Sequence, residues 1–562
     1  MKFPNFLPFL LIIIALAFVL RFYRVTEDPP SLNWDEVSIG YNAYSILKTG
    51  RDEWGQFLPI HFKSYGEYKL PVQIYASIPG IAIFGLNELG VRITPVVYGT
   101  LTVLLLFFLA RVLFKNTAIG LMAAFLLAIS PWHIHLTRAS FESSFSVFWV
   151  VLGIWLLVKG FSNKNWFIWS MIPFAISIFT YNSARIFTPL FLIAILIIYR
   201  KVLFKYKKVI ALSFILFVVL LLPLTPFLLS GERSARYKLV SITDDPGLIP
   251  RINENRGKSN LPQPLPKLIH NKITYVSFYF GRNYLSHFTP DFLFISGAPH
   301  KQHHVQGIGE LYLFQAPIVL LGLYILIKRR KEKQGIIFSW LLIAFIPVSV
   351  TNDSIPHALR TVIAAPVYQL ISAVGAYQFY IWLKEKKWII PAGILTGLIV
   401  VTSLISYLNN YYNIYPKLYS RDWQYGNKQV VDFISKHYFE YDQIRFTRHF
   451  GEPHMFTLFY LNYDPAKYQN DPNLVRFETF DWVRVLRFDM FYFASNGEQR
   501  KVSLYFPDLG DKDTSPKIVM DKYKGKKLLL IGKSGDFPSG VRKLEVINFL
   551  DGSPAFEIVD NK

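Results

Sequence analysis

Long apolar runs separated by short polar clusters dominate the first 406 residues of the chain. Eleven of them read as membrane spans: 4–22, 91–113, 117–132, 141–158, 165–181, 184–199, 209–229, 311–327, 335–351, 360–380 and 388–406. A hydrocarbon core of roughly 30 Å asks for about 20 apolar residues per helix, which most of these approach. The segment 70–85, "LPVQIYASIPGIAIFG", is apolar but too short to span and is expected to lie in the interface as a helix. Beyond residue 406 the pattern changes. Strand-like runs at 527–532 and 541–550 alternate with helical stretches near 427–438 and 453–462, among many turn residues. The predicted architecture is an α-helical polytopic membrane domain, 1–406, with about 11 transmembrane helices, followed by a mixed α/β domain, 407–562.

Composition supports this reading. The 562 residues are 52% hydrophobic and only 17% charged, well below the quarter usual for a soluble chain. The net charge of +22 would suit nucleic acid, but the basic residues cluster between apolar runs, so no nucleic-acid partner is expected. There are no cysteines, which excludes disulfides and thiolate metal sites. Ala15-Leu16-Ala17 mimics a signal-peptidase site, yet the apolar run continues to Leu20 behind a single Lys2, which reads as an uncleaved first span. With the N-terminus in the cytoplasm, the inner segments hold 18 Lys and Arg against two acids, Glu332 and Glu385. This asymmetry predicts a multi-pass protein of the cell membrane, and an odd span count puts the C-terminal domain outside. The outer loops 23–90 and 230–310 are then extracytoplasmic too.

Ionisable residues are almost absent inside the spans; Arg92, Glu142 and Arg360 sit at their ends. Ion-coupled transport usually needs charges at mid-depth, so chemistry is expected at the outer surface. Arg138, Arg185 and Arg360 each occupy a short outer loop. Each alone is explained by snorkelling, but together they would make a positive pocket for a lipid-linked phosphate. Lys69 is a further cation, unless Glu67 simply pairs with it. His357 shares a helical face with Arg360 and could serve the same phosphate. In "NWDEVSIGYNA", residues 33–43, the Asn33-x-x-Glu36 spacing suits a capping box and Asp35 could itself be an N-cap. Either carboxylate could instead accept a proton from an attacking hydroxyl. Glu142, at the outer end of the fourth span, is a second acid that could orient an acceptor, or simply favour a helix N-terminus. His300, His303 and His304 lie close together, but without an adjacent carboxylate or thiolate they read as a solvated or substrate-facing loop rather than a metal site.

Several stretches resemble the GT-C membrane glycosyltransferases, in particular the family 39 group of protein O-mannosyltransferases, lipid A aminoarabinose transferases and their bacterial relatives. "WDEVSIGYNAYSILKTGRDEWG" resembles the first-loop Asp-Glu motif. "YKLPVQIYASIPGIAIFGLNELGVRITP" resembles the Lys-Pro-Pro segment, interfacial helix and arginine, with Leu70 in place of the first proline. "RASFESSFSVFW" resembles the arginine and acidic residue that open the fourth span, with Glu142 where relatives usually have Asp. β-Trefoil repeats of the eukaryotic protein mannosyltransferases are not seen.

The resemblance implies a polyprenyl-phosphate-sugar donor, an extracytoplasmic reaction and inversion at the anomeric carbon. It implies Asp35 as general base with Glu36 beside it. It also implies Lys69 on the donor phosphate and, loosely, Arg360; Arg138 and His357 join them as phosphate ligands on the reading of the outer loops. No cofactor is called for, and the acceptor is left open among lipid, glycan and protein. Two rival classes remain. A lipid-linked-sugar flippase would carry ionisable residues through its bundle. A non-catalytic assembly protein would tolerate loss of the acidic pair.

Overall fold

Where water is absent the backbone must satisfy its own hydrogen bonds, and the apolar runs accordingly fold as helices. The structure, a computed structural model, describes residues 6–66, 68–226, 240–329, 333–478, 483–493, 525–537 and 540–561. In chain order come α1 (Leu7–Phe22), α2 (Trp34–Thr49), β1 (Phe62–Lys63), β2 (Tyr68–Lys69), α3 (Pro71–Phe84) and α4 (Glu88–Phe114). Next are α5 (Thr117–Ala128), α6 (Pro131–Leu136), α7 (Glu142–Gly160), α8 (Trp166–Ile178) and α9 (Asn182–Ile198). Each apolar segment expected from the sequence falls on helix in its described part, 4–22 being described from residue 6 and 209–229 as far as residue 226. The segment 335–351 divides into Gln334–Ile343 and Ile346–Ser349, with Pro347 in the first turn of the second piece, where a missing N–H costs nothing.

Among the described residues, five helices are long and apolar enough to cross a membrane: Glu88–Phe114, Glu142–Gly160, Arg200–Leu224, Ala358–Glu385 and Ile389–Tyr419. Shorter apolar helices accompany them, and the chain is a multi-pass membrane protein.

The chain divides into two compact units. The first comprises Met1–Tyr23 and Pro95–Asn410, and its described elements are helices. Its helices Gln315–Arg329 and Ala365–Glu385 pack through glycines. A Cβ on Gly322 would stand 2.1 Å from the Ile371 carbonyl oxygen, and one on Gly375 would stand 2.0 Å from that of Ile318. Small residues at such a crossing let two backbones meet in lipid, where no hydrophobic force drives them together. Two buried arginines lock helix ends. Arg21 donates to the Leu127 and Ala128 carbonyls at the end of α5, and Arg138 donates to those of Leu20, Arg21 and Tyr23 at the end of α1.

The second unit comprises Arg24–Thr94 and Tyr411–Lys562. Its described strands form a seven-stranded mixed sheet, ordered β4 (Val475–Glu478), β5 (Val483–Phe488), β6 (Phe491–Phe493), β3 (Gln443–Phe446), β7 (Leu528–Lys533), β9 (Pro554–Asp560) and β8 (Lys543–Asn548). β3 pairs parallel with both β6 and β7, and the flanking pairs are antiparallel. Helices Asn427–His437 and Pro453–Tyr460 fall where the sequence pattern predicts them. An apolar cluster runs from Val37, Ile39 and Ile46 of α2 through Met455 and Phe459 to Ile444 and Ile531 of the sheet. Gly40 permits this packing, because a Cβ there would come within 2.6 Å of both Phe459 and Val91.

Candidate active site

The acidic pair opens α2, and its backbone is held from several sides. The Asn33 side chain accepts from the Asp35 and Glu36 amides at 2.9 and 3.0 Å, and Glu36 Oε2 accepts from the Asn33 amide at 3.2 Å. This is the reciprocal capping box that the spacing suggested, with Asn33 and not Asp35 as the cap. The Trp34 amide donates to the Gln424 carboxamide at 2.7 Å, and the Tyr65 hydroxyl donates to the Trp34 carbonyl at 2.9 Å. Burial, followed by the charges of Glu53, Glu452 and Asp35, pushes the Tyr65 hydroxyl well above its ordinary value, so it remains a donor.

Within this frame the two carboxylates part company. Asp35 Oδ1 receives a hydrogen bond from Lys69 Nζ at 2.6 Å. The Asp35 side chain keeps 35% of its surface exposed whereas that of Lys69 keeps 2%, so the carboxylate is the face an incoming molecule meets and the ammonium lies behind it. The short β1–β2 hairpin positions Lys69. Glu67, the other partner considered for Lys69, lies outside the described residues.

Glu36 is fully buried. Arg92 Nε and Nη2 donate to its two oxygens at 2.9 and 3.0 Å. The remaining N–H groups of Arg92 reach the Val25, Pro29 and Ser31 carbonyls at 3.0, 2.8 and 2.6 Å. Glu36, expected beside Asp35 either to orient the acceptor or to tune Asp35 electrostatically, is enclosed and bound at both oxygens, which keeps it from direct contact with an acceptor.

Sequence reasoning missed a further buried acid in this unit. Glu53 is buried and bonded to Asn42 of α2, with the Asn42 amide nitrogen 3.3 Å from Oε1. Burial lifts its carboxyl to about 7; Arg476 and Asn42 oppose the rise, while Asp52 and Glu452 add to it. Its only signal in the sequence is an acid flanked by Asp52 and Trp54 within a tight turn.

The other candidates belong to the first unit. Arg138, expected on the donor phosphate, is fully buried, with both terminal nitrogens on the α1 carbonyls; it ties off a helix rather than offering an anion site or snorkelling. Glu142 is the first residue of α7, as its helix-terminus alternative required, and its charge attracts Arg185. His357 and Arg360 do come together. His357 caps the short helix Ala358–Thr361 and accepts from the Arg360 amide. The Arg360 guanidinium holds Asp353 at 2.7 Å and Thr351 at 3.0 Å. His300 and His303 stack face to face with centroids 3.7 Å apart, and His303 stands 5.1 Å from His357. Burial and the charges of His300, His357, Arg360 and His135 push His303 well below its ordinary value. Among the described residues no three His, Asp or Glu side chains form a metal-binding group. His304 instead pairs with Glu310 at 3.0 Å.

Residues 71–226 match the sequence family described as "Dolichyl-phosphate-mannose-protein mannosyltransferase". A comparison with curated proteins finds no match. Among solved structures, ArnT from Cupriavidus metallidurans in the apo state is 11% identical with a TM-score of 0.55, over 100% of this chain and 99% of that one. ArnT bound to undecaprenyl phosphate gives 12% and 0.51, over 99% and 98%. AglB, an oligosaccharyltransferase from Archaeoglobus fulgidus in complex with an inhibitory peptide and a dolichol-phosphate, gives 15% and 0.47 over 77% of this chain; the present chain spans 59% of its length. The whole-length likeness to ArnT is one of fold, and together with the family match it supports the GT-C membrane glycosyltransferase resemblance read from the sequence.

Proposed function

From a GT-C-type fold and a mannosyltransferase-family segment, we propose that the chain is an inverting glycosyltransferase. It moves a sugar from a polyprenyl-phosphate donor to an acceptor hydroxyl or amine on the extracytoplasmic face. The observation that carries this reading is the Asp35–Lys69 pair: an accessible carboxylate 2.6 Å from a buried ammonium. Asp35 takes the acceptor proton as the acceptor atom bonds to the anomeric carbon. The anomeric carbon–oxygen bond breaks, and its electron pair leaves on the phosphate. Lys69, released from Asp35 as that carboxylate is protonated, offers its charge to the phosphate oxygen on which negative charge develops. Arg360 and His357 are carried as further phosphate ligands on the sequence reading; the half-exposed Asp353 carboxylate on Arg360 supports an anion-binding role for that guanidinium. A structure of ArnT with undecaprenyl phosphate supports this donor class by analogy of fold.

The outward placement of the Asp35 unit follows from the Lys/Arg bias. The test is label transfer from a radiolabelled polyprenyl-phosphate sugar into membrane extract by Lys69→Gln. The proposal expects transfer to fall at least tenfold, with weaker donor binding. Unchanged transfer and donor affinity would remove Lys69 from the mechanism.

A further inference from the structure

The second unit also holds a cavity of about 470 Å³, away from Asp35 and Lys69 in its lining, within the usual range for a small-molecule site. One wall is the segment Arg24–Ser31. Arg92 fixes that wall by holding the Val25, Pro29 and Ser31 carbonyls, so the cavity is preformed by the same side chain that anchors Glu36.

Its lining selects a ligand chemistry. Most of the lining charges are already paired: Arg24 lies 2.8 Å from Glu27 and 3.1 Å from Asp28, and Lys428 lies 2.9 Å from Glu88. Lys417 and Asp432, one charge of each sign, complete the charged lining. A strongly anionic or cationic ligand would have to break these pairs, and a lipid tail would have to strip water from them. What suits them is a neutral molecule whose groups both donate and accept. Paired carboxylates still have lone pairs to accept from a hydroxyl, and the lysine still has N–H groups to donate. Three tyrosines, Tyr412, Tyr425 and Tyr460, supply aromatic surface beside these polar groups. Gln429 lines the cavity as well, and its carboxamide oxygen has no hydrogen-bond partner. Polar edges, an aromatic face and charges of both signs in near balance match a sugar ring.

We propose that this cavity is a saccharide-binding site for an uncharged sugar, separate from the Asp35–Lys69 pair. That the sugar belongs to a glycan acceptor rests on the transferase reading; the saccharide assignment itself rests on the lining alone.

The test uses the full chain in detergent and saturation-transfer NMR with methyl glycosides of mannose, glucose, galactose and N-acetylglucosamine. Methyl glucuronide and mannose 6-phosphate serve as charged counterparts. At least one neutral glycoside should bind. Its affinity should fall tenfold or more in Tyr425→Ala and in Asp432→Asn, with unfolding midpoints unchanged, and should persist in Asp35→Asn. If no neutral glycoside binds, if the charged ones bind as tightly, or if both lining variants bind like wild type, the assignment is overturned. Binding retained while the wild type transfers no sugar would leave this site standing and sink the transferase reading; transfer without neutral-sugar binding would do the reverse.

Discussion

Arg92→Met removes the cation that five hydrogen bonds converge on, two to Glu36 and three to the Val25, Pro29 and Ser31 carbonyls. Both ionic side chains are fully buried, so methionine fills the volume but leaves Glu36 charged and enclosed. Breaking one side of such a pair costs about 3–5 kcal/mol, chiefly for the stranded charge. For a folding unit of roughly 150–250 residues, this corresponds to a fall of about 6–20 °C in the unfolding midpoint. Tryptophan fluorescence of the detergent-purified protein reads this directly. The decisive control is Arg92→Met with Glu36→Gln. The amide keeps the bond from the Asn33 amide but carries no charge, so the double variant should be more stable than Arg92→Met alone. A single variant within about 2 °C of wild type, or a double variant showing the sum of the two single losses, would refute the reasoning.

Three further outcomes follow from the geometry. Glu53, at about 7 in the folded unit against an ordinary 4.5, binds more protons folded than unfolded between those values. Stability should therefore fall by about 3 kcal/mol in wild type as pH rises from 4.5 through 7, while Glu53→Gln flattens that slope in unfolding midpoints measured from pH 5 to 8; parallel slopes would contradict the assignment. The native chain has no cysteine, so single cysteines report topology cleanly. A membrane-impermeant maleimide applied to intact cells should label Lys436→Cys and spare Lys386→Cys, and the opposite pattern would invert the orientation. Gly375→Val places side-chain carbon against the Ile318 carbonyl, so the variant should lose folded yield in size-exclusion chromatography, whereas wild-type yield would show that the two helices can separate at little cost.

What could be read from the sequence was local. Apolar runs mark helices because the membrane forces every backbone bond inside the segment, and the Asn33–Glu36 spacing specified its capping box because both partners lie within one turn. Partners distant in sequence were not legible. Glu36 finds Arg92 across 56 positions, and Arg138 reaches the end of α1 across more than a hundred; nothing in either neighbourhood names the other. An arginine inside an apolar run does announce that some partner exists, since a buried charge must be paired. The resemblance singled out Asp35 and Lys69 separately, but their contact depends on a hairpin of two-residue strands that no periodicity reveals. Likewise, Arg24–Thr94 shares a compact unit with Tyr411–Lys562 through contacts such as Trp34 to Gln424, which local pattern does not encode.

The central claim is that Asp35 is the base of a sugar transfer. Asp35→Asn keeps the size and hydrogen-bonding shape of the side chain but removes its ability to take a proton. With a radiolabelled polyprenyl-phosphate sugar and membrane extract, this variant should bind the donor yet transfer label about 10²–10⁴-fold more slowly than wild type. Transfer at the wild-type rate would contradict the claim outright.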